Sequence, residues 1–167
     1  MKKVYFSGKF NKLKDPKLSL SDSLKDDYRS KILGGSEKLT HPIDTQIVFG
    51  KYIYTGPFYC EQASSGDYTS TDCNTVLNAE FKAVSDADFF VCVLSEHFSV
   101  GTIVELDWAL YQNKEIILLY QEEEESSYTI KSEYWFAIAN AIKNSHHIKI
   151  IPFKNTNDIY PLIKNLL

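Results

Sequence analysis

A chain of 167 residues is long enough for one well-buried core and too short for two ordinary domains. Its composition, 44% hydrophobic and 24% charged, is typical of a soluble globular protein. The net charge of −4 argues against a surface that binds the phosphates of DNA or RNA. We therefore expect a single domain spanning 1–167, without a nucleic-acid polymer as partner.

The cysteines and the apolar runs indicate the compartment. Cys60, Cys73 and Cys92 are an odd number without C-x-x-C spacing, and Cys92 lies inside an apolar run, as a small core residue would. The apolar residues near the start stop at Phe6, which is too short for a signal peptide, and no run is long enough to span a bilayer. We expect a cytoplasmic protein that does not associate with a membrane.

Short apolar runs rich in β-branched and aromatic residues predict five strands. In chain order they are 3–7, 51–54, 88–94, 115–120 and 147–151, the last of them ended by Pro152. Residues 36–50 show no clear pattern and are left unassigned.

Apolar positions at helical spacing predict helices between these strands. The first covers 24–33, with Asp22 or Ser23 as its cap and Gly34-Gly35 as its end, and the second covers 72–85, capped by Thr71 or Asp72. Further helices are predicted from the Ser99/Gly101 turn to about Asn113, over 134–142, and over 158–167. The alternation of strands and helices favours a parallel sheet covered on both faces.

The stretch 99–110, Ser-Val-Gly-Thr-Ile-Val-Glu-Leu-Asp-Trp-Ala-Leu, joins two predicted buried strands. Its helix starts at the carboxyl end of a strand, where open α/β sheets bind ligands. Glu105 is predicted in or near the first turn, where the helix dipole and unpaired N–H groups would hold a carboxylate ionised. Such a group can attack the anomeric carbon of a sugar, with Glu80 of the preceding helix assisting the leaving group. On the sequence pattern alone, a glutamate that only stabilises the helix dipole explains Glu105 at least as well as a catalytic role does. A solvent-exposed acid on the helix surface likewise explains Glu80.

Three segments occur together in one order. They are 4–8, Val-Tyr-Phe-Ser-Gly; 87–91, Ala-Asp-Phe-Phe-Val; and 101–109, Gly-Thr-x-x-Glu-Leu-x-x-Ala. In their order and spacing they resemble the nucleoside 2-deoxyribosyltransferase family, which includes the 2′-deoxynucleoside 5′-phosphate N-hydrolases. The resemblance covers roughly residues 2–120. It implies a flavodoxin-like three-layer α/β sandwich with a five-stranded parallel sheet, and an enzyme that cleaves the N-glycosidic bond of a nucleoside or nucleoside 5′-monophosphate.

Carried onto this chain, the resemblance implies that Glu105 is the nucleophile at the sugar C1′ and that Tyr5 orients its carboxylate. Glu80 stands where the family usually has an aspartate that binds the nucleobase. Phe10 matches an aromatic position that lines the pocket, and Gln62 is expected to contact a base edge. Tyr5, Phe10 and Gln62 also fit ordinary packing or surface residues.

Ser99 favours hydrolysis over base transfer. The transferases have an aspartate two residues before the motif glycine, here Gly101, and that aspartate contacts the sugar 5′-hydroxyl. The 5′-monophosphate hydrolases have a serine there, as this chain does, and a hydroxyl can donate to a phosphate that an aspartate would repel. Ser7, Gly8 and Lys9 would complete the phosphate pocket. We therefore expect hydrolysis slightly ahead of base exchange, with a non-catalytic nucleotide-binding sensor on the same fold as the alternative.

The sequence carries no zinc motif, Walker loop or dinucleotide-binding fingerprint, and the expected reaction requires no cofactor or metal. The apolar segment 134–142 fits a helix that packs on the sheet. It also fits a surface that forms a homo-oligomer, as is usual for the family the chain resembles.

Overall fold

The sheet at the centre of the protein contains six strands among the residues that the computed structural model describes, which are 1–10, 19–59, 70–95, 100–122 and 147–167. The strands are β1 (Lys2–Ser7), β2 (Ile47–Phe49), β3 (Tyr52–Gly56), β4 (Phe89–Leu94), β5 (Glu115–Gln121) and β6 (Ile148–Phe153). Their order is β2-β3-β1-β4-β5-β6, and every neighbouring pair is parallel except β2 and β3. The predicted helix over 134–142, Gln62 and Ser99 lie outside the described residues.

The prediction of a five-stranded, entirely parallel sheet is wrong, because the sheet has a sixth strand at its edge that runs antiparallel. The five predicted strands are present, and in chain order they lie 2-1-3-4-5 across the sheet, which is the flavodoxin-like order. The extra strand, β2, lies within residues 36–50, whose sequence shows no clear pattern, and it pairs with β3 through a tight turn at Gly50. Pro152 does not end the last strand; it lies inside β6, which is an edge strand of the sheet and tolerates a residue without an N–H.

Helices cover both faces of the sheet. They are α1 (Leu20–Ser23), α2 (Tyr28–Leu33), α3 (Ser70–Asp86), α4 (Val100–Tyr111) and α5 (Ile159–Leu166), with 3₁₀ turns at Ser36–Thr40 and Thr156–Asp158. Successive residues of a strand point to opposite faces, so Val4 and Phe6 pack with α2 and α5, whereas Tyr5 and Phe90 pack with α3 and α4. The predicted three-layer flavodoxin-like sandwich is therefore confirmed. Within the described ranges, no helix has both the length and the apolar character needed to cross a bilayer.

Two predicted helix starts are wrong. Of the helix predicted over 24–33, only 28–33 is helical, since 24–27 form a turn that follows α1. The cap of α2 is Asp27, whose carboxylate accepts a hydrogen bond from the Arg29 N–H at 2.9 Å. The predicted end is correct, because Gly34 adopts the left-handed conformation with φ of 76°. The helix α3 begins at Ser70, so that Thr71 and Asp72 lie within it instead of capping it.

The strand order makes the carboxyl ends of β1 and β4 the expected place for a ligand. The chain leaves β1 toward β3 on one side of the sheet and leaves β4 toward β5 on the other, which makes this pair the topological switch point. Open α/β sheets bind ligands beside the carboxyl ends of such strands. Ser7 at the end of β1 and the helix α4 that follows β4 meet there.

Candidate active site

Glu105 is buried on the inner side of α4, with 9% of its surface exposed. It is the sixth residue of the helix, hence in the second turn, and α4 has no acidic residue in its first turn. The prediction that unpaired N–H groups of the helix start hold this carboxylate is therefore wrong, because those groups belong to the first turn.

Two hydroxyl groups from β1 bind the Glu105 carboxylate instead. The Tyr5 hydroxyl donates to Oε1 at 2.9 Å, and the Ser7 hydroxyl donates to Oε2. Residues 5 and 7 share one face of the strand, since side chains alternate along it, and α4 packs on that face. Each carboxylate oxygen thus has its own donor, which fixes the orientation of the carboxyl group.

Burial raises the pKa of Glu105 above its usual value, and three groups oppose that effect. The hydrogen bonds from Ser7 and Tyr5 and the positive charge of Arg29 each favour the ionised form and lower the pKa. Burial is the largest of these causes, so the expectation of a carboxyl held strongly ionised by the helix dipole is corrected. In the folded protein, the hydroxyl groups of Tyr5 and Ser7 and the charge of Arg29 replace the hydration that the Glu105 carboxyl would have in water.

Tyr5 is a neutral hydrogen-bond donor. Burial and the negative charge of Glu105 raise its pKa well above the usual value. Its ring stacks on Phe90, with centroids 5.7 Å apart and planes inclined by 6°. The ring also passes so close to Gly56 that a Cβ there would lie 2.9 Å from Tyr5 Cε2, and Gly56 has a φ of +143°. Gly56 is therefore needed both for the backbone conformation and for the position of the phenol.

Glu80 on α3 provides a second carboxyl in the same environment. Burial, followed by the negative charge of Glu105, raises the pKa of Glu80 to about 8. The charge of Glu80 also raises the pKa of Tyr5, so that Glu80 lies within electrostatic reach of both residues. At neutral pH Glu80 holds a proton, and the interpretation of a solvated acid does not fit this position.

The turn after β1 carries the other residues predicted there. Gly8 has a φ of +152°, and a Cβ on it would lie 3.3 Å from both the Cβ and the carbonyl oxygen of Val93. Lys9 is exposed, and Phe10 is half-buried with its ring 3.6 Å from the Arg29 guanidinium. Arg29 is not among the residues that the sequence predicts, because an arginine in a predicted helix is typical of a solvated face.

The structure therefore brings together four of the predicted site residues, Tyr5, Ser7, Glu80 and Glu105. Gly101 is exposed in the first turn of α4. In the ranges that the structure describes, no three His, Cys, Asp or Glu side chains are grouped so as to hold a metal ion.

The fold is similar to that of a solved enzyme, the CMP N-glycosidase BcmB of Clostridium botulinum. The two chains are 18% identical, with a TM-score of 0.54, over 99% of this chain and 100% of that chain. Translation elongation factor SelB of Methanococcus maripaludis, solved with the GTP analogue GppNHp, matches more weakly, with a TM-score of 0.44 and 14% identity over 98% of this chain and 33% of that chain. No protein-family model and no curated protein matches the sequence. At this level of identity the similarity to BcmB establishes the flavodoxin-like fold.

The close approach of Gly56 to Tyr5 predicts the effect of a single methyl group. Gly56→Ala should lower the free energy of unfolding by more than Gly50→Ala, measured by urea denaturation. Both glycines have positive φ, with +51° at Gly50, but a Cβ at Gly50 would meet nothing within 4 Å. Gly50→Ala thus reports the conformational cost alone, about 1–2 kcal/mol. Equal losses in the two variants would show that the Tyr5 ring is not held against Gly56.

The raised pKa of Glu80 predicts how stability depends on pH. An unfolded glutamate titrates near 4.3, so between about pH 4.5 and 8 the folded state keeps a proton that the unfolded state releases. The Glu80 contribution to the free energy of unfolding therefore falls as pH rises through this window, by at most about 1.4 kcal/mol per pH unit, and is constant above it.

Glu80→Gln removes this contribution, so its stability relative to the native protein should rise from pH 5 to pH 8. Denaturation at a series of pH values measures it, with Glu115→Gln as the control, since Glu115 is exposed on β5. A stability difference between Glu80→Gln and the native protein that stays constant with pH would contradict the assigned protonation of Glu80.

Proposed function

We propose that this protein cleaves the N-glycosidic bond of a nucleoside or nucleoside 5′-monophosphate, with Glu105 attacking C1′ of the sugar. The observation that carries the proposal is the buried Glu105 carboxyl, bound through both oxygens by Tyr5 and Ser7 beside the switch point of the sheet. A carboxylate fixed in one orientation loses little freedom when it attacks. The similarity of the fold to that of a CMP N-glycosidase supports an N-glycosidic bond as the target.

Glu80 is the group that assists the leaving base. In the first step the Glu105–C1′ bond forms, the C1′–N bond breaks with its electron pair going to the base, and Glu80 donates its proton to that base. In the second step a water molecule attacks C1′, Glu80 accepts the proton of that water, and Glu105 leaves as a carboxylate. A second nucleobase in place of water gives base exchange. In this proposal Glu80, whose pKa is raised to about 8, supplies the proton, and Glu105, whose ionised form the bonds from Ser7 and Tyr5 favour, is the nucleophile.

A 5′-monophosphate is the preferred substrate in this proposal, with hydrolysis slightly favoured over transfer. The Ser7 hydroxyl donates to Glu105, so phosphate binding falls to the exposed Lys9 in the turn after β1 and to Ser99 before α4. A lysine and a hydroxyl are groups that donate to phosphate oxygens. The neighbour in structure is named for a nucleoside monophosphate, which supports this choice.

The choice between hydrolysis, base exchange and binding alone is decided by products. The protein is incubated with deoxynucleosides, ribonucleosides and their 5′-monophosphates, and chromatography measures the free base. Base released without a second base indicates a hydrolase, and a new nucleoside formed only with a second base indicates a transferase. Binding without turnover for every substrate would leave the sensor as the function.

Glu105→Gln should abolish base release, because the amide keeps the shape of the side chain but is not a nucleophile. We expect a loss of at least about a thousandfold in kcat, with substrate binding retained. Asp107→Asn is the matched control, since Asp107 is an exposed carboxylate on the same helix and should not affect turnover. Full activity in Glu105→Gln would rule out this mechanism.

The alkaline limb of the pH profile should report Glu80. Raising the pH through about 8 removes its proton, so kcat/KM should fall above that pH. Glu80→Gln should have a lower kcat/KM and no such limb. A substrate whose base leaves as a stable anion needs no proton and should lose less in this variant. If the alkaline limb were unchanged in Glu80→Gln, the limb would report the titration of another group.

A further inference from the structure

Arg29 is a fully buried cation beneath the turn that follows β1. Its guanidinium donates to three backbone carbonyls of that segment, those of Phe6 at 3.3 Å, Gly8 at 3.0 Å and Lys9 at 3.3 Å. A buried arginine with backbone partners on another element fixes the path of that element. Arg29 thus connects α2 to the strand end that carries Ser7.

Asp27 holds the guanidinium in place from the other side. The Arg29 Nε donates to Oδ1 at 2.8 Å and Nη2 donates to Oδ2 at 2.7 Å, a bidentate pair. With the three carbonyl bonds, these match the five N–H donors of the side chain. The face of the guanidinium lies 3.6 Å from the centre of the Phe10 ring. A lysine has three donors and no planar fork, and it cannot make this set of contacts.

Tyr28 completes the same attachment. Its hydroxyl donates to the Ser7 carbonyl at 3.3 Å. The carbonyls of residues 6 to 9 therefore all accept hydrogen bonds from two adjacent side chains of α2. Within this run, the side chain of Ser7 is the one that binds the Glu105 carboxyl.

The charge of Arg29 acts on Glu105 as well. The negative charge of Glu105 raises the pKa of the titratable groups around it, which are Tyr5 on β1, Tyr28 on α2, Tyr54 on β3, Glu80 on α3 and Cys92 on β4. Arg29 is the positive charge that lowers the pKa of Glu105 against the effect of burial. Loss of this charge would leave the carboxyl with two neutral donors.

We propose that Arg29, locked by Asp27, is a positioning residue of the active site, which holds the turn 6–10 so that Ser7 keeps its hydrogen bond to Glu105. This inference rests on the proposed function, because it assigns Arg29 a part in the attack by Glu105. Arg29 touches no reacting atom; it acts through the backbone that carries Ser7 and through its charge.

Two substitutions separate the geometry from the charge. Arg29→Lys keeps the charge but loses the fork, and Arg29→Met loses both. Since a misplaced reacting group costs on the order of a hundredfold, we expect kcat to fall about that much in Arg29→Lys, with KM and the acid limb of the pH profile little changed. In Arg29→Met kcat should fall further, and the acid limb should move to higher pH. Lys31→Met, an exposed lysine on the same helix, should match the native protein in all three.

A titration independent of activity separates this inference from the proposed function. The carboxyl carbon of Glu105, labelled with ¹³C and assigned by its loss in Glu105→Gln, should titrate at higher pH in Arg29→Met than in the native protein. If the native protein cleaves substrates but neither kcat nor this midpoint changes in Arg29→Met, the inference is overturned and the function stands. If the native protein cleaves nothing, the function fails, and the midpoint still decides whether Arg29 acts on Glu105.

The folding of the variants is checked by circular dichroism. Should Arg29→Met not fold, Arg29→Lys and Asp27→Asn carry the test, because each loosens the turn while keeping the positive charge. A kcat equal to that of the native protein in both would overturn the inference.

Discussion

The removal of the Glu105 carboxyl from water is the constraint on which the site depends. A buried carboxylate is costly unless fixed groups replace its hydration. Here Tyr5 and Ser7 supply one hydroxyl donor to each oxygen, and Arg29 supplies a charge from the helix on the opposite face of the sheet. Tyr5 and Ser7 fix the orientation of the carboxyl, and the charge of Arg29 favours its ionised form.

The second carboxyl of the site, that of Glu80, differs from Glu105 in its surroundings. Glu80 and Glu105 repel one another when both are ionised, and burial adds to that cost. The proton that remains at neutral pH is held on Glu80, whereas Glu105 has the hydroxyl donors that favour its ionised form. In the proposed mechanism, these surroundings make one glutamate the acid and the other the nucleophile.

The sequence predicts the part of the fold that depends on continuous burial. The central strands β1, β4 and β5 are mostly buried and therefore appear as apolar runs, and the glycine at the end of α2 marks a left-handed cap. The edge strand β2 is apolar but has only three residues, with Val48 59% exposed, which is too short a run to predict a strand. The start of α2 was not predictable in the same way, since Asp27 caps the helix and also holds the side chain of Arg29.

The contacts of the site were predictable only in part. The resemblance implied that Tyr5 orients Glu105, and that hydrogen bond is present, but the second donor, Ser7, was not predicted as a partner of the carboxylate, and the place of Glu105 in the second turn removes the helix start as a donor. Ser7 was expected to bind phosphate, a role that stays a prediction, and its hydroxyl is engaged by the carboxyl. Arg29 leaves no sequence signal because its partners are mainly backbone carbonyls.

The most direct test of the central claim is to trap the covalent intermediate. Fluorine at the sugar 2′ position of a nucleoside or its 5′-monophosphate slows both steps, because it destabilises the positive charge that develops on the sugar. If the base of this substrate is a good leaving group, the first step stays faster than the second, and the glycosyl-enzyme intermediate accumulates. Mass spectrometry of the quenched and digested protein should find the fluorinated sugar on the peptide that contains Glu105. Release of the base with that peptide unmodified, or with the sugar on another residue, would contradict the account.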